Sequence, residues 1–243
     1  MRIYENCKEA VKDIGRELQK CSSEVHTQTM QNKSIAKDEG YNTRELQAFS
    51  FAIINQDDRD EMPHVTKEWC KAEFKERISS TPKNPGEAYK LRKDVWEEFL
   101  IEEEREAEED GEIKYWTEKV FEYTYAERMH WQIGKVIEEL KTHPDTRQAI
   151  ITIHDRKIDQ ERMGQMRVPC SMFYHFMFRN DKLDIIYNMR SSDFITHFQN
   201  DIWLAMAMQT YIAKYVGVEP GKFIMQVSSL HIYQKDWEEL QRY

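Results

Sequence analysis

The chain has 243 residues, with 44 acidic against 35 basic side chains and a formal net charge of −9 at neutral pH. That length suits one large core, with no Pro/Gly/Ser-rich linker to divide it, and that charge excludes a general polyanion-binding surface, because nucleic-acid affinity rests mostly on phosphate neutralisation by Lys and Arg. Four widely spaced cysteines without a Cys-x-x-Cys pair, no signal-type apolar run and no stretch of the ~18 apolar residues a membrane span needs read as a cytoplasmic protein with reduced thiols.

In chain order, two textures follow. Residues 1–110 are polar, charged and helix-leaning; Val11, Ile14 and Leu18 recur at helical intervals, which predicts a helical outer layer. The run from Ile101 to Asp110 carries most of the acidic excess and reads as a solvated helix end or a surface loop.

Residues 111–243 alternate helix and strand. Ile133, Val136, Ile137 and Leu140 have helical period, and Pro144 ends that helix by disfavouring the α region at the residue before it. Ala149–Ile153 reads as a buried strand. Two apolar runs, 171–178 and 182–187, flank Asn180-Asp181, a hairpin signal. Residues 201–215 read as an apolar helix closed by Gly217, followed by a Glu219-Pro220-Gly221 turn and a strand over 222–227. The fold class is α+β, a mixed sheet packed with helices in one domain over 1–243.

The chemistry concentrates in four elements. A thiol follows a proline at Pro169-Cys170, preceded by Asp145-Thr146-Arg147 and followed by Arg190-Ser191-Ser192-Asp193 and then by His231 and Tyr233. Taken singly, a Cys in an apolar run is usually an inert small hydrophobe, and a His in a strand is usually structural. Together and in this order, over residues 144 to 235, they resemble the thymidylate synthase family, and within it the phage-type deoxycytidylate hydroxymethylases.

The resemblance implies a dimer formed through the sheet, a pyrimidine nucleotide and a folate as ligands, and no nucleic acid or membrane partner. It implies Cys170 as the nucleophile that adds to C6 of the pyrimidine, with 5,10-methylenetetrahydrofolate as the one-carbon donor. Arg190 would hold the 5′-phosphate and favour the thiolate; Arg147 would hold the same phosphate from across the dimer. Ser191 would add a hydroxyl donor, His231 and Tyr233 would meet the sugar, and Asp193 would orient the pterin. Tyr125 corresponds to a Tyr-Gly element, with Ala126 in place of the glycine. The carboxylate of the proton relay falls on Glu68, with Glu73 as the other fit. Cys7, Cys21 and Cys70 match no motif of the family.

Asp201 stands where uracil-reading members have Asn and the deoxycytidylate-reading branch has Asp. Cytosine offers an N3 acceptor and an N4 amino donor; a carboxyl accepts from N4 and, once burial has raised its pKa, donates a proton to N3. The bland alternatives are that Asp201, or Asn200 beside it, caps the following helix.

Three features depart from the family. Gln148 replaces a second phosphate arginine, with Arg44 a weak substitute; His175 replaces a glutamine; and the chain ends at Tyr243, ten residues after Tyr233, so the long tail that closes over folate is absent or replaced. No zinc-type cluster, Gly-rich phosphate loop or nucleophile elbow is present, so no metal is implied. The expected reaction is one-carbon transfer to C5 of dCMP, with water giving 5-hydroxymethyl-dCMP; dUMP hydroxymethylation, a methyl product through hydride capture, and a non-catalytic nucleotide-binding relative are the alternatives.

Overall fold

The computed structural model describes residues 1–20, 22–26, 38–162 and 167–243, so Cys21 lies outside the described residues. In chain order the elements are β1 (Arg2–Tyr4), α1 (Cys7–Lys20), β2 (Ser23–Val25), β3 (Thr43–Ile53), α2 (Lys67–Arg77), α3 (Lys93–Trp96), β4 (Leu100–Glu109), β5 (Glu112–Phe121), α4 (Tyr125–Thr142), β6 (Ile150–Thr152), α5 (Ile158–Arg162), β7 (Ser171–Arg179), β8 (Lys182–Asp193), α6 (Gln199–Val216) and β9 (Glu219–Tyr233).

The main sheet runs β1-β3-β9-β8-β7-β6, with β2 also paired to β3. A row of residues in register crosses it: Ile151, Tyr174, Tyr187, Met225 and Phe51 are aligned on neighbouring strands. All five are buried, beneath the layer that contains α1, α4 and α6. The next row, Ile150, His175, Ile186 and Ile224, faces the other way and is exposed or half-exposed.

α6 is apolar nearly all round, Ile202 to Met208 being buried without a break, as a helix in a core must be. It ends at Gly217 in the left-handed conformation (φ 87°), where a residue without Cβ carries no steric penalty. α6 is the crossover between β8 and β9, which pair in parallel. Parallel strands bring both carboxyl ends to the same edge of the sheet, and the candidate site residues stand there.

Three sequence expectations are corrected. The first 110 residues are not simply an outer helical layer: β3, eleven residues long, lies inside the sheet between β1 and β9, because Phe49, Phe51 and Ile53 alternate along it as strand residues do.

The acidic run is likewise a strand. β4 pairs with β5 in a separate two-stranded ribbon, with Glu102 opposite Lys119 and Arg105 reaching Glu103 at 2.9 Å and Glu118 at 3.5 Å. Its tip is Asp110-Gly111, both at positive φ, the Asp-Gly signal of a two-residue hairpin.

The third correction concerns Glu219-Pro220-Gly221, which opens β9 rather than preceding it. A bulge opposite Asp184 accommodates the segment; a Cβ at Gly221 would collide with the Asp184 carboxylate.

Candidate active site

Cys170 immediately precedes β7, and the strand pairing continues through it: the backbone N–H of Arg190 donates to the Cys170 carbonyl at 2.9 Å. The Arg190 side chain then wraps the Cys170 segment. Its Nε donates to Pro169 O at 2.9 Å and Nη2 to Val168 O at 2.8 Å, while Nη1 donates to Ser191 Oγ at 3.1 Å. The Ser191 hydroxyl donates to Cys170 Sγ at 3.5 Å. The planar guanidinium thus serves three acceptors from three separate nitrogens in a fixed fork, a geometry that the single-point ammonium of a lysine does not match.

Around this thiol lies a cavity of about 480 Å³ that takes in Tyr125, Arg190, Ser191, Asp193, Asp201, His231 and Tyr233 together with Trp96, Arg167 and His197. Cys170 and the first seven of these, all singled out in the sequence, therefore meet in one space. Asp193 and His231 are direct cross-strand partners on β8 and β9. Tyr233 packs edge-on against His231 and Tyr41, at 5.2 and 5.3 Å between ring centroids. Burial lowers the pKa of His231 and raises that of Tyr233.

Asp201 sits in the first turn of α6 and receives the Ser192 hydroxyl at 2.9 Å. Burial pushes its carboxyl up to about 7, against the opposing pull of Arg77 and of the Ser192 hydrogen bond. Asn200 is not a helix cap: its Oδ1 accepts from the Thr66 backbone at 2.8 Å and from Cys70 Sγ at 3.1 Å, fastening the start of α2 to α6. Cys70 and Cys7 are both buried, and burial raises the Cys70 thiol to about 12.

Glu68, expected as the relay carboxylate, is not among the residues lining the cavity. Glu68 is 78% exposed and pairs with Lys71, whereas Glu73 lines the cavity. Five residues along an α-helix turn two side chains about 140° apart, so α2 can present one of them inward and not the other. Glu73 accepts from the buried Arg77 at 2.8 Å. Arg77 also donates to the Tyr174 hydroxyl at 3.3 Å and lies 4.6 Å over the Tyr125 ring. Its i,i+4 spacing from Glu73 was a readable signal.

Arg147 and His175 do not join the cavity of this chain. Arg147 is exposed, and His175, hydrogen-bonded to the Arg147 backbone and lowered in pKa mainly by burial, stands on the outward row of the sheet. Arg44 is committed elsewhere, paired with Glu24 at 3.1 Å and stacked 4.0 Å over Trp237.

Tyr125 opens α4 behind a reciprocal capping box between Thr124 and Glu127, a Thr-x-x-Glu signal legible in the sequence. Its hydroxyl accepts the Ser171 N–H at 3.4 Å. Arg167 carries its guanidinium among Tyr123, Trp96, Phe99 and Phe121, at 4.8, 5.0, 5.5 and 5.6 Å from the ring centroids. These rings and the cation form one flat-sided wall of the cavity.

The model of the thymidylate synthase family matches residues 16–243. The chain belongs to the thymidylate synthase family. Among its relatives, a protein of Methanocaldococcus jannaschii named "Putative thymidylate synthase" is 33% identical over 52% of this chain and 58% of its own length. The "Deoxyuridylate hydroxymethyltransferase" of Bacillus phage SP01 is 31% identical over 44% of this chain and 28% of its own. A "Thymidylate synthase" of Streptococcus pneumoniae is 30% identical over 47% and 42%. The chain thus spans less than two thirds of these relatives' length. Among the described residues, no group of three His, Cys, Asp or Glu side chains is placed to hold a metal ion, and no helix is long and apolar enough to cross a membrane.

Proposed function

We propose that this family member transfers a one-carbon unit to C5 of dCMP through a covalent Cys170 adduct, and that water completes 5-hydroxymethyl-dCMP. The observation that carries the choice of base is Asp201: a carboxyl buried in the cavity, raised to about 7 and held by Ser192, is about half protonated at neutral pH, and that form donates to cytosine N3 while its other oxygen accepts from N4.

In this reading Cys170 Sγ bonds to C6 and C5 becomes the nucleophile. Arg190 and Ser191 hold the thiol's segment and face the 5′-phosphate, His231 and Tyr233 meet the sugar, and Glu73, kept in place by Arg77, serves the proton relay at the base. The folate co-substrate supplies the methylene group that C5 attacks. The residues present fit it: the indole N–H groups of Trp69 and Trp96, both on the cavity, are buried with no partner among the described residues and suit ring acceptors. Asp193 suits the donor edge of an aminopyrimidine, and Tyr125 with the Arg167 wall offers flat faces.

A homodimer through the outward row Ile150, His175, Ile186 and Ile224 follows from the same reading, with Arg147 reaching the partner's phosphate site. Sedimentation equilibrium yielding only monomer would remove it.

The names of the relatives favour a second reading, in which dUMP is the substrate and the product is 5-hydroxymethyl-dUMP or dTMP. Tritium release from [5-³H]dCMP and, separately, [5-³H]dUMP in the presence of methylenetetrahydrofolate, followed by product mass, separates the two. Release from dCMP with gain of a hydroxymethyl group is the expected result; release from dUMP alone would sink the cytosine assignment.

A further inference from the structure

We propose that His197 holds and deprotonates the water that ends the reaction, so that this side chain commits the site to an alcohol product. The proposal deepens the one-carbon-transfer reading above and rests on it.

Its first support is backbone geometry. Between β8 and α6 the chain makes a π-helical turn, Phe194–Phe198, one residue longer than an α-turn and a form that recurs at functional sites. Phe194 and Phe198 stay in the core, while His197 lines the cavity with Cys170, Asp193 and Asp201. The imidazole is 5.5 Å from the Trp96 ring, tilted by 53°.

A second support is what the other polar groups are doing. Asp201 accepts from Ser192, Glu73 from Arg77, Asp193 from the Ile195 N–H, and Arg190 has acceptors for Nε, Nη1 and Nη2. Neither ring nitrogen of His197 makes a hydrogen bond among the described residues. Its environment keeps it neutral: burial, with Arg92, Arg167 and His231 nearby, lowers it to about 4 against the pull of Asp193. A neutral imidazole offers one lone pair, which is what an attacking water needs as its acceptor.

The step balances without another reagent. After C5 has taken the carbon and lost its hydrogen, the base bears an exocyclic methylene at C5 and the Cys170 sulfur at C6. Water oxygen bonds to the methylene carbon as His197 takes the water proton. The electron pair shifts onto the ring, then restores the C5–C6 double bond as the C6–S bond breaks. The imidazolium, disfavoured in that setting, returns its proton to the leaving sulfur. Hydroxymethyl nucleotide and free Cys170 thiol result.

The test compares wild type with His197→Leu and with His197→Gln, whose amide oxygen restores an acceptor. Three quantities are measured: tritium released from the C5 position of whichever nucleotide the wild type uses, hydroxymethyl nucleotide formed, and, with a small thiol added, the thioether formed by capture of the methylene. His197→Leu is expected to retain tritium release within about threefold while the ratio of alcohol to tritium falls at least about tenfold and thioether accumulates; His197→Gln recovers part of the alcohol. Calorimetric affinity for the nucleotide alone is expected to stay within about twofold, which also reports that the variants are folded.

An unchanged ratio of alcohol to tritium in His197→Leu would overturn the proposal and leave the parent reading standing. Parallel loss of both signals, or loss of nucleotide affinity in both variants, would also overturn it, because His197 would then act earlier. Wild type that releases tritium from neither nucleotide would overturn the parent reading and this proposal together.

Discussion

Ser192 and Asp201 are joined by a 2.9 Å hydrogen bond from the last turn of β8 to the first turn of α6, so the carboxyl that faces the cavity has one oxygen fixed by the sheet. Burial raises this carboxyl to about 7, so turnover of dCMP, which in the proposed reading needs the protonated form, is expected to fall as pH rises through about 7. Asp201→Asn carries no titrating proton. That variant should lose the alkaline limb and shift the ratio of kcat/KM for dUMP over dCMP upward by at least about tenfold. Linkage gives an independent reading: a carboxyl that binds its proton more tightly when folded loses stability for the protein as pH climbs from about 4 to about 7. Asp201→Asn should therefore raise Tm by several degrees at pH 8 and leave it nearly unchanged at pH 4. A dCMP profile flat across neutral pH would contradict the assignment.

Glu73 and Glu68 make a matched pair of tests on one helix. Glu73→Gln keeps the shape of the cavity but removes the charge facing Arg77, and it is expected to lower kcat by roughly 10²-fold, the usual scale of a lost proton-relay group. Glu68→Gln, exposed and paired only with Lys71, should change kcat less than about twofold. Arg77→Met tests the support of the pair: Glu73 is half-buried, so leaving it without its partner is expected to cost less than the about 3–5 kcal/mol of a fully buried pair, read as a fall in the urea midpoint at constant m-value. Equal kinetics for the two Gln variants would remove Glu73 from the relay.

How far the site could be read from sequence depends on where each residue gets its meaning. Cys170, Arg190, Ser191, Asp193, His231 and Tyr233 lie on or next to strands whose pairing brings sequence neighbours together, so their spacing carried the information. Asp201 was legible because it follows β8 through a single turn. His197 was not, since only the packing of the π-turn against the cavity turns it inward; Arg77 was legible only as an i,i+4 partner of Glu73, and neither its burial nor the aromatic wall around Arg167 shows in the sequence. The reading of residues 101–110 as a helix end or surface loop failed because a run of glutamates looks solvated in any secondary structure. The Asp110-Gly111 tip was the available discriminating signal.

Arg128 and Asp159 provide an acid-sensitive brace behind the cavity. The two make a double hydrogen bond at 2.6 and 2.8 Å, with Asp159 fully buried and Arg128 4.0 Å over Tyr123, itself a ring of the Arg167 wall. Burial works to raise the Asp159 carboxyl, but Arg128 and the Asp155 N–H together hold it below its ordinary value near 3.8. A depressed carboxylate contributes stability above its unfolded pKa and loses it as pH falls through the folded one, so wild type should lose this increment below about pH 4. Asp159→Asn is expected to cost about 3 kcal/mol at pH 7, a Tm fall of roughly 6–12 °C for a chain of this size, with a shallower acid limb. A variant whose stability matches wild type at pH 7 would show the brace to be dispensable.

Arg190 has two duties in this reading, and a conservative change separates them. Its Nε and Nη2 hold the Pro169 and Val168 carbonyls, while its charge faces the proposed phosphate site. Arg190→Lys keeps the charge but gathers its donors at one nitrogen, without the fixed fork whose Nε and Nη2 meet the Pro169 and Val168 carbonyls separately. Loss of phosphate binding alone would raise KM and spare kcat; loss of the clamp lets the Cys170 segment drift and lowers kcat, since small misplacement of a nucleophile is costly. The expected result for Arg190→Lys is a kcat reduced by roughly 10²-fold with nucleotide affinity, measured calorimetrically, changed by less than about fivefold. The reverse pattern, intact kcat with a large rise in KM, would mean that the backbone bonds to Pro169 and Val168 do not position the thiol and that Arg190 acts through the phosphate alone.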